Sequence, residues 1–380
     1  MLKTLRFLGL AILMLAQAGC ETLTYYGQAI QGQWQIMRAA RPVEQALQQT
    51  DLAETTRQQL QLTQDVLAFA EAELLLPSEG RYRKYAALSR DYVVWNVFAA
   101  EPYDLTGKQW CYPIVGCAPY RGYFKEARAE AAALDYRAEG LETYVGPVPA
   151  YSTLGWFKDP LLSTFVHWPE PDLAQLLIHE LAHSRLWIKN DVALNESFAS
   201  FVGRQGTAQW FTSRGQSQVW LEYEQRQQIW YQLRDLLLDT RQQLAAVYAD
   251  TNYADKGYAE KDASVSAAKR TIMQAAQTCY AQHKALLGGG RYDPLMQQLN
   301  NALLVSLSTY ADWQPALEQL FRQHNSQWPA FYQAMEDLGG MPADQRQQVL
   351  QQLLDTASAQ QEETHQRDHQ HTSQVNCQSF

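Results

Sequence analysis

The chain has 380 residues, a formal net charge of −9, 46% hydrophobic residues and 12% aromatic residues. That apolar fraction excludes a disordered chain, and the length allows one large core or two closely joined ones. An acidic balance with no basic cluster excludes nucleic acid as a partner.

Residues 1–6 are basic and residues 7–16 form an apolar run too short to span a bilayer comfortably, the pattern of a signal peptide over residues 1–19. The run ends in Gln17-Ala18-Gly19-Cys20. This resembles a lipobox, in which cleavage before the cysteine leaves Cys20 to carry lipid. Secretion with a free Cys20, or an uncleaved anchor, stays open. Glu21, being no Asp, resembles the outer-membrane sorting class. The expected location is therefore the cell envelope, lipid-anchored on the periplasmic face of the outer membrane. Loss of Lys3 and Arg6 with the leader would take the charge from −9 to −11. The rest of the chain has no second apolar run of membrane-spanning length, so the membrane is a partner only through the N-terminal lipid.

Residues 25–76 have few breakers beyond Pro42 and a Gln-rich polar face, so they read as helical, and residues 81–100 read as a continuation of helix. Residues 102–119 form a loop bounded by cysteines, and the Ala-rich residues 124–139 are helical again. Residues 141–148 and 151–157 carry Tyr, Val, Thr, Trp and Phe between Gly and Pro and read as short strands. Apart from Cys20 there are four cysteines: Cys111, Cys117, Cys279 and Cys377. Three connectivities are formally possible. The short spacing of Cys111 and Cys117 favours a local bridge and leaves Cys279 for Cys377; a second metal site or free thiols is the alternative.

His179-Glu180-Leu181-Ala182-His183 carries the strongest chemical signal. Two histidines four apart on a helix share a face and can grip one metal ion. Pro171 and Asp172 mark the start of that helix, and Leu173, Leu176, Leu177 and Leu181 form an apolar stripe beside the ligand face. Catalytic zinc needs a third protein ligand and an open fourth position. After His183 the polar Lys189-Asn190-Asp191 reads as a turn into a second helix, which can bring Glu196 back toward the histidines. The expected zinc ligands are His179, His183 and Glu196, with Glu180 free to act as general base. The alternative is a surface helix that happens to carry two His and a Glu.

At these residues the chain resembles a family of bacterial aminopeptidases of the zincin type, which carry HELAH followed shortly by an Asn-Glu-Ser-Phe-Ala segment, here residues 195–199. The resemblance extends to Tyr25-Tyr26, Arg41-Pro42, residues 111–124, residues 151–157 and Leu299-Asn300-Asn301-Ala302. It implies an α+β, predominantly α fold with a gluzincin-like metallopeptidase core, a small sheet before the HExxH helix and a helical C-terminal half. It implies a Zn2+ cofactor, a peptide substrate and a supporting role for Asn195. Zincins hold an extended peptide against an edge strand, which places Gly155 and Trp156 as substrate-binding candidates. They also need an oxyanion donor, and the candidate is Tyr310. Two departures stand out. Only twelve residues separate His183 from Glu196, fewer than in thermolysin-like proteases, and no Gly-x-Met-Glu-Asn segment is present to hold a substrate amino terminus.

From residue 210 onward the chain is Gln-rich and nearly strand-free, with helices expected at residues 219–248, 263–287, 294–310 and 345–354. Residues 358–380 are polar without apolar periodicity and read as a disordered tail. The expected division is a leader at 1–19, an anchor and catalytic region at 20–210, a helical region at 211–357 and the tail. The expected function is zinc-dependent peptide hydrolysis in the cell envelope. The competing reading is a non-catalytic envelope lipoprotein whose zinc staples two helices together for binding or assembly.

Overall fold

The computed structural model describes residues 24–112, 116–150, 158–249, 258–308 and 313–367. It is mixed α and β and predominantly helical, as the composition and periodicity imply. Its centre is an antiparallel pair. The first member, Glu170–Arg185, carries both histidines of the motif; the second, Val192–Ser213, carries Glu196. The two are called the His helix and the Glu helix below.

The His helix begins where Pro171 fits the first turn and where Glu170 and Asp172 face the positive end of the helix dipole. Glu170 also accepts from the Trp210 indole at 3.0 Å and pairs with Arg214, tying the start of one helix to the end of the other. The turn between them passes through Asn190 at φ 62°, a left-handed position that Asn tolerates better than most residues. Asp191 then caps the Glu helix, accepting from Leu194 N at 3.2 Å, and its carboxylate is held by the buried Arg346 at 2.9 Å.

Ahead of this pair lies a three-stranded antiparallel sheet in the order Arg121–Tyr123, Val94–Ala100, Glu142–Val148. Its central strand was expected to be helix. The strand is buried on both faces, so its sequence shows an apolar run interrupted only at Asn96 in place of the alternation that announces a half-exposed strand. Trp95, Val97 and Ala99 meet Ala129, Ala133 and Tyr136 of the helix Glu126–Ala138. Phe98 and Ala100, on the other face, meet Ala302 and Val305 of the helix Asn301–Ser308. The expected strand at 141–148 is present as Glu142–Val148. A second small sheet joins Arg41–Pro42, Lys84–Ala86 and Leu161–Leu162. The loop at 102–119 contains a hairpin, Trp110–Tyr112 with Gly116–Ala118, and Cys111 and Cys117 face each other across it and are disulfide-bonded. Cys279 is also disulfide-bonded; Cys377, its expected partner, lies outside the described residues.

The long N-terminal helical stretch divides into helices at residues 24–39, Val43–Leu47 and Glu54–Ala72. In the second half, Ser217–Ala249 and Tyr258–Gln282 match the periodicity, whereas the helices Gln314–Gln323 and Trp328–Gly340 were not foreseen. The helix Ala343–Arg367 runs into the segment expected to be disordered. Its Gln, Ala and Glu residues are good helix formers, and a helix needs no apolar stripe once its first turns are anchored by Leu350, Leu353 and Ala357. Among the described residues no helix is long and apolar enough to cross a membrane.

The main hydrophobic core draws on residues from Ile36 to Leu353 and surrounds the His and Glu helices. A smaller one gathers Leu233, Leu237 and Leu244 with Tyr280, Leu303 and Leu304. Behind the Glu helix, Phe198 and Phe201 pack on Phe331 at 6.1 and 5.2 Å between ring centroids. Phe331 is fully buried, and truncation to Ala removes the floor on which the Glu helix rests. Phe331→Ala should lower unfolding stability by about 3–5 kcal/mol, read from urea denaturation.

Candidate metal centre and its cleft

His179 and His183 are one helical turn apart, and their Nε2 atoms converge to 3.1 Å. Glu196 completes the cluster from the Glu helix, with carboxylate oxygens 3.5 Å from His179 Nε2 and 3.7 Å from His183 Nε2. One donor atom from each residue lies within 4.8 Å of the others. A tetrahedral ion with bonds of 2.0–2.1 Å has edges of about 3.4 Å between ligands, and the three separations bracket that value. Two imidazoles and a carboxylate converging at these separations form a group that could hold a metal ion.

Electrostatics agree with this. Burial pushes the His183 imidazole down to about 4, with the neighbouring His179 adding to the effect against the opposing charge of Glu196, so the ring stays neutral and its lone pair free for a ligand bond. Burial also disfavours charge on His179, but the hydrogen bond and charge of Glu196, with the charge of Glu180, outweigh it and raise that ring. Burial would raise Glu196, and the hydrogen bond from His179 and the two imidazoles more than offset this, so its carboxylate is held ionised.

Several features fix this geometry. The Ser200 hydroxyl, one turn beyond Glu196, lies 3.5 Å from His179 Nδ1 and turns the ring so that Nε2 points inward. His183 Nδ1 is buried with no hydrogen-bond partner among the described residues, and its ring is steered by Trp187, edge-on at 5.7 Å. Asn195 sits beside the ligand Glu196 but faces away from the centre. It donates to Ile188 O and accepts from Ile188 N, both at 2.8 Å, and so clamps the turn between the two helices. Gly203 and Gly206 let the helices approach. A Cβ on Gly203 would sit 3.0 Å from Gln175 O and 3.2 Å from His179 Cβ, and one on Gly206 would sit 2.5 Å from Leu74 Cδ1.

The three donors open onto a cleft of about 750 Å³. Glu180, 9% exposed, lines it beside them. On its far side Glu180 also borders a small internal cavity shared with Tyr82 and Asp159. Tyr120 lines the same cleft. Burial first, then the charge of Glu196, the neighbouring Tyr25 and the charge of Glu180 push its phenol up to about 12. It therefore stays protonated. Among the described residues lining the cleft there is no Lys or Arg, and Asp172 adds a third carboxylate. The end of the strand Glu142–Val148 and the following Pro149 and Ala150 form one wall, and among the described residues that strand is an edge of its sheet.

Over residues 24–350 the chain matches the family model described as Putative aminopeptidase. The chain belongs to that family. No curated protein and no solved structure matches it. The span matched by the aminopeptidase family contains the whole His179, His183 and Glu196 cluster together with Glu180 and Tyr120. Membership supports a peptidase, and the cluster is a group that could hold a metal ion.

Of the expected site residues, the structure brings together His179, Glu180, His183 and Glu196 and gives Asn195 its place in the turn. Gly155, Trp156, Tyr310, Cys20 and Cys377 lie outside the described residues. Sequence reasoning missed Ser200, Gly203 and Tyr120. The four-residue step from Glu196 to Ser200 was a readable signal, and so was the small residue at 203 on the ligand face of the second helix. Tyr120 carried none, since its role depends on how the sheet folds over the His helix.

Because Gly203 sets the distance between the ligand helices, Gly203→Val should weaken metal binding at least tenfold while helical circular dichroism is largely retained, and Ser200→Ala should weaken it about tenfold. Competition with a chelator reads both.

Proposed function

We propose that the chain is a zinc-dependent peptidase of the aminopeptidase kind acting in the cell envelope. The carrying observation is that His179, His183 and Glu196 converge on the wall of an open cleft with Glu180 beside them. A zinc that only stapled two helices would have a closed ligand shell; here the donors face space that a substrate can enter. Zinc held by these residues supplies Lewis acidity, polarising the scissile carbonyl and acidifying the attacking water toward a pKa of about 7.

The chain's own groups do the rest. Glu180 takes the proton of the attacking water and passes it to the departing amine, a role suited to a buried carboxylate adjoining a ligand. Tyr120, protonated and lining the same cleft, donates to the oxygen on which negative charge develops. The edge strand Glu142–Val148 and the Pro149-Ala150 wall supply a main-chain rail for an extended peptide. A cleft lined by carboxylates and by no Lys or Arg among the described residues suits a cationic free amino terminus better than a free carboxylate. Asp172, hydrogen-bonded by Tyr223 at 3.2 Å, is the carboxylate there that belongs neither to the metal set nor to the proton transfer.

The envelope setting is supported by the leader, by the lipobox-like ending at Cys20, which makes Cys20 the proposed lipidation site, and by the Cys111–Cys117 disulfide, which suits an oxidising compartment. The periplasmic face of the outer membrane is the proposed location.

Glu180→Gln should retain bound zinc and lose at least a hundredfold in kcat, measured by metal analysis and by hydrolysis of a mixed peptide library. Cleavage of peptides with free but not blocked amino termini would establish the aminopeptidase. Equal zinc in both proteins with cleavage by neither would overturn the hydrolase in favour of the structural-zinc lipoprotein. Tyr120→Phe should lower kcat about 10²–10³-fold with little change in KM.

A further inference from the structure

The helix over residues 24–39 is the wrong way round for a helix packed on a soluble core. Its buried stripe is Gln28, Gly32 and Ile36, while Tyr26, Ile30 and Trp34, each four residues apart, stand 37%, 69% and 58% exposed. Its rotation is fixed. Gln28 donates to Gly122 O at 3.3 Å and accepts from Phe124 N at 3.1 Å. Gly32 lies against the Phe124 ring so closely that a Cβ there would be 2.1 Å away. Rolling the aromatic stripe inward would break both hydrogen bonds and drive larger side chains into that ring.

Charge sets this segment apart as well. In a chain of net charge −9, no acidic residue occurs between Glu21 and Glu44, whereas Arg38 and Arg41 do. The Arg38 guanidinium lies over the Trp34 ring at 5.1 Å, placing a cation at the end of the apolar stripe. Tyr, Ile and Trp flanked by Arg is the composition of a helix lying in the headgroup zone of a bilayer. Cys20 precedes residue 24 by four positions, a reach of at most about 14 Å even when fully extended. A lipid on Cys20 therefore leaves no room for the helix to stand away from the membrane.

We propose that the Tyr26–Ile30–Trp34 face is seated in the headgroup layer of a phospholipid bilayer, with Arg38 at the phosphates. This rests on the anchored reading of Cys20. A second copy of the chain is a poorer occupant: a whole aromatic side chain buries about 150–250 Å², so three partly exposed side chains fall short of the roughly 800 Å² per partner of a stable interface. The seating has a functional consequence, since Tyr25 and Ala29 on the adjoining side of this helix line the cleft. The mouth of the peptidase is thereby held at a fixed height above the membrane, where peptides tethered to it or released at it pass.

The test uses the natively produced chain in vesicles of phosphatidylethanolamine and phosphatidylglycerol, with a photoreactive benzoylphenylalanine replacing one residue at a time. Ile30→benzoylphenylalanine and Trp34→benzoylphenylalanine should give phospholipid adducts in at least tenfold higher yield than the same replacement at Leu221, 54% exposed on the helix Ser217–Ala249, or at Leu286, 51% exposed in a turn. Equal yields at all four positions, no lipid adduct at 30 and 34, or adducts there to a second copy or another protein would each overturn the proposal. Peptide hydrolysis and the mass of the Cys20 fragment, measured on the same preparation, report separately on the peptidase and on the anchor.

Discussion

Everything at the centre depends on two helices crossing within a Cβ of each other in one register. Three donors from two helices meet at a point only if each helix is held in rotation as well as in position, since a slip of one residue turns a side chain by about 100°. The protein meets that constraint at both ends and in the middle. Glu170 with Trp210 and Arg214 ties the open end, and Asn195 with Ile188 clamps the turn. Gly203 and Gly206 remove the side chains that would hold the helices apart. The aromatic cluster of Phe198, Phe201 and Phe331 presses the Glu helix from behind.

Burial then gives the cluster its chemistry. Desolvation keeps His183 neutral and the imidazoles keep Glu196 ionised, so the cluster offers a free lone pair and a negative charge side by side. Moved into bulk water, the same residues would be a weak chelate, because charges there are screened and histidine protonates near 6.5. The wall of the cleft carries the opposite adaptation. Tyr120 is made a poorer acid by burial and by the charges of Glu196 and Glu180, which preserves its proton for donation. One low-dielectric pocket thus holds a neutral imidazole and a protonated phenol.

How much of this could be read beforehand follows from how local each feature is. The His179–His183 pair is a property of one helical turn, and the Glu196 placement follows from a short polar turn, so both were open to sequence reasoning. The strand Val94–Ala100 was not, because burial on both faces erased the alternation from which strands are recognised. The helices Gln314–Gln323 and Trp328–Gly340 escaped for another reason. They are short, begin at prolines and owe their burial to Phe201 and Phe198, which are more than a hundred residues distant in the chain. Tyr120 belongs to the same class, since only the tertiary fold brings it over the His helix.

The N-terminal helix shows why such a segment cannot be assigned from hydrophobic pattern alone. Residues 24–39 contain two four-residue stripes, one of Gln28, Gly32 and Ile36 and the other of Tyr26, Ile30 and Trp34. Apolar content would send the second stripe into the core. The first goes in because Gln28 hydrogen-bonds the backbone groups of Gly122 and Phe124 at the rim of the sheet, and because only glycine fits against the Phe124 ring. A hydrogen-bonded glutamine and a missing side chain outrank larger apolar groups there, since shape and polar satisfaction decide which face can dock, whereas hydrophobicity only rewards docking once it is possible. What remains outside is an apolar face that water does not favour, on the helix that forms one wall of the cleft.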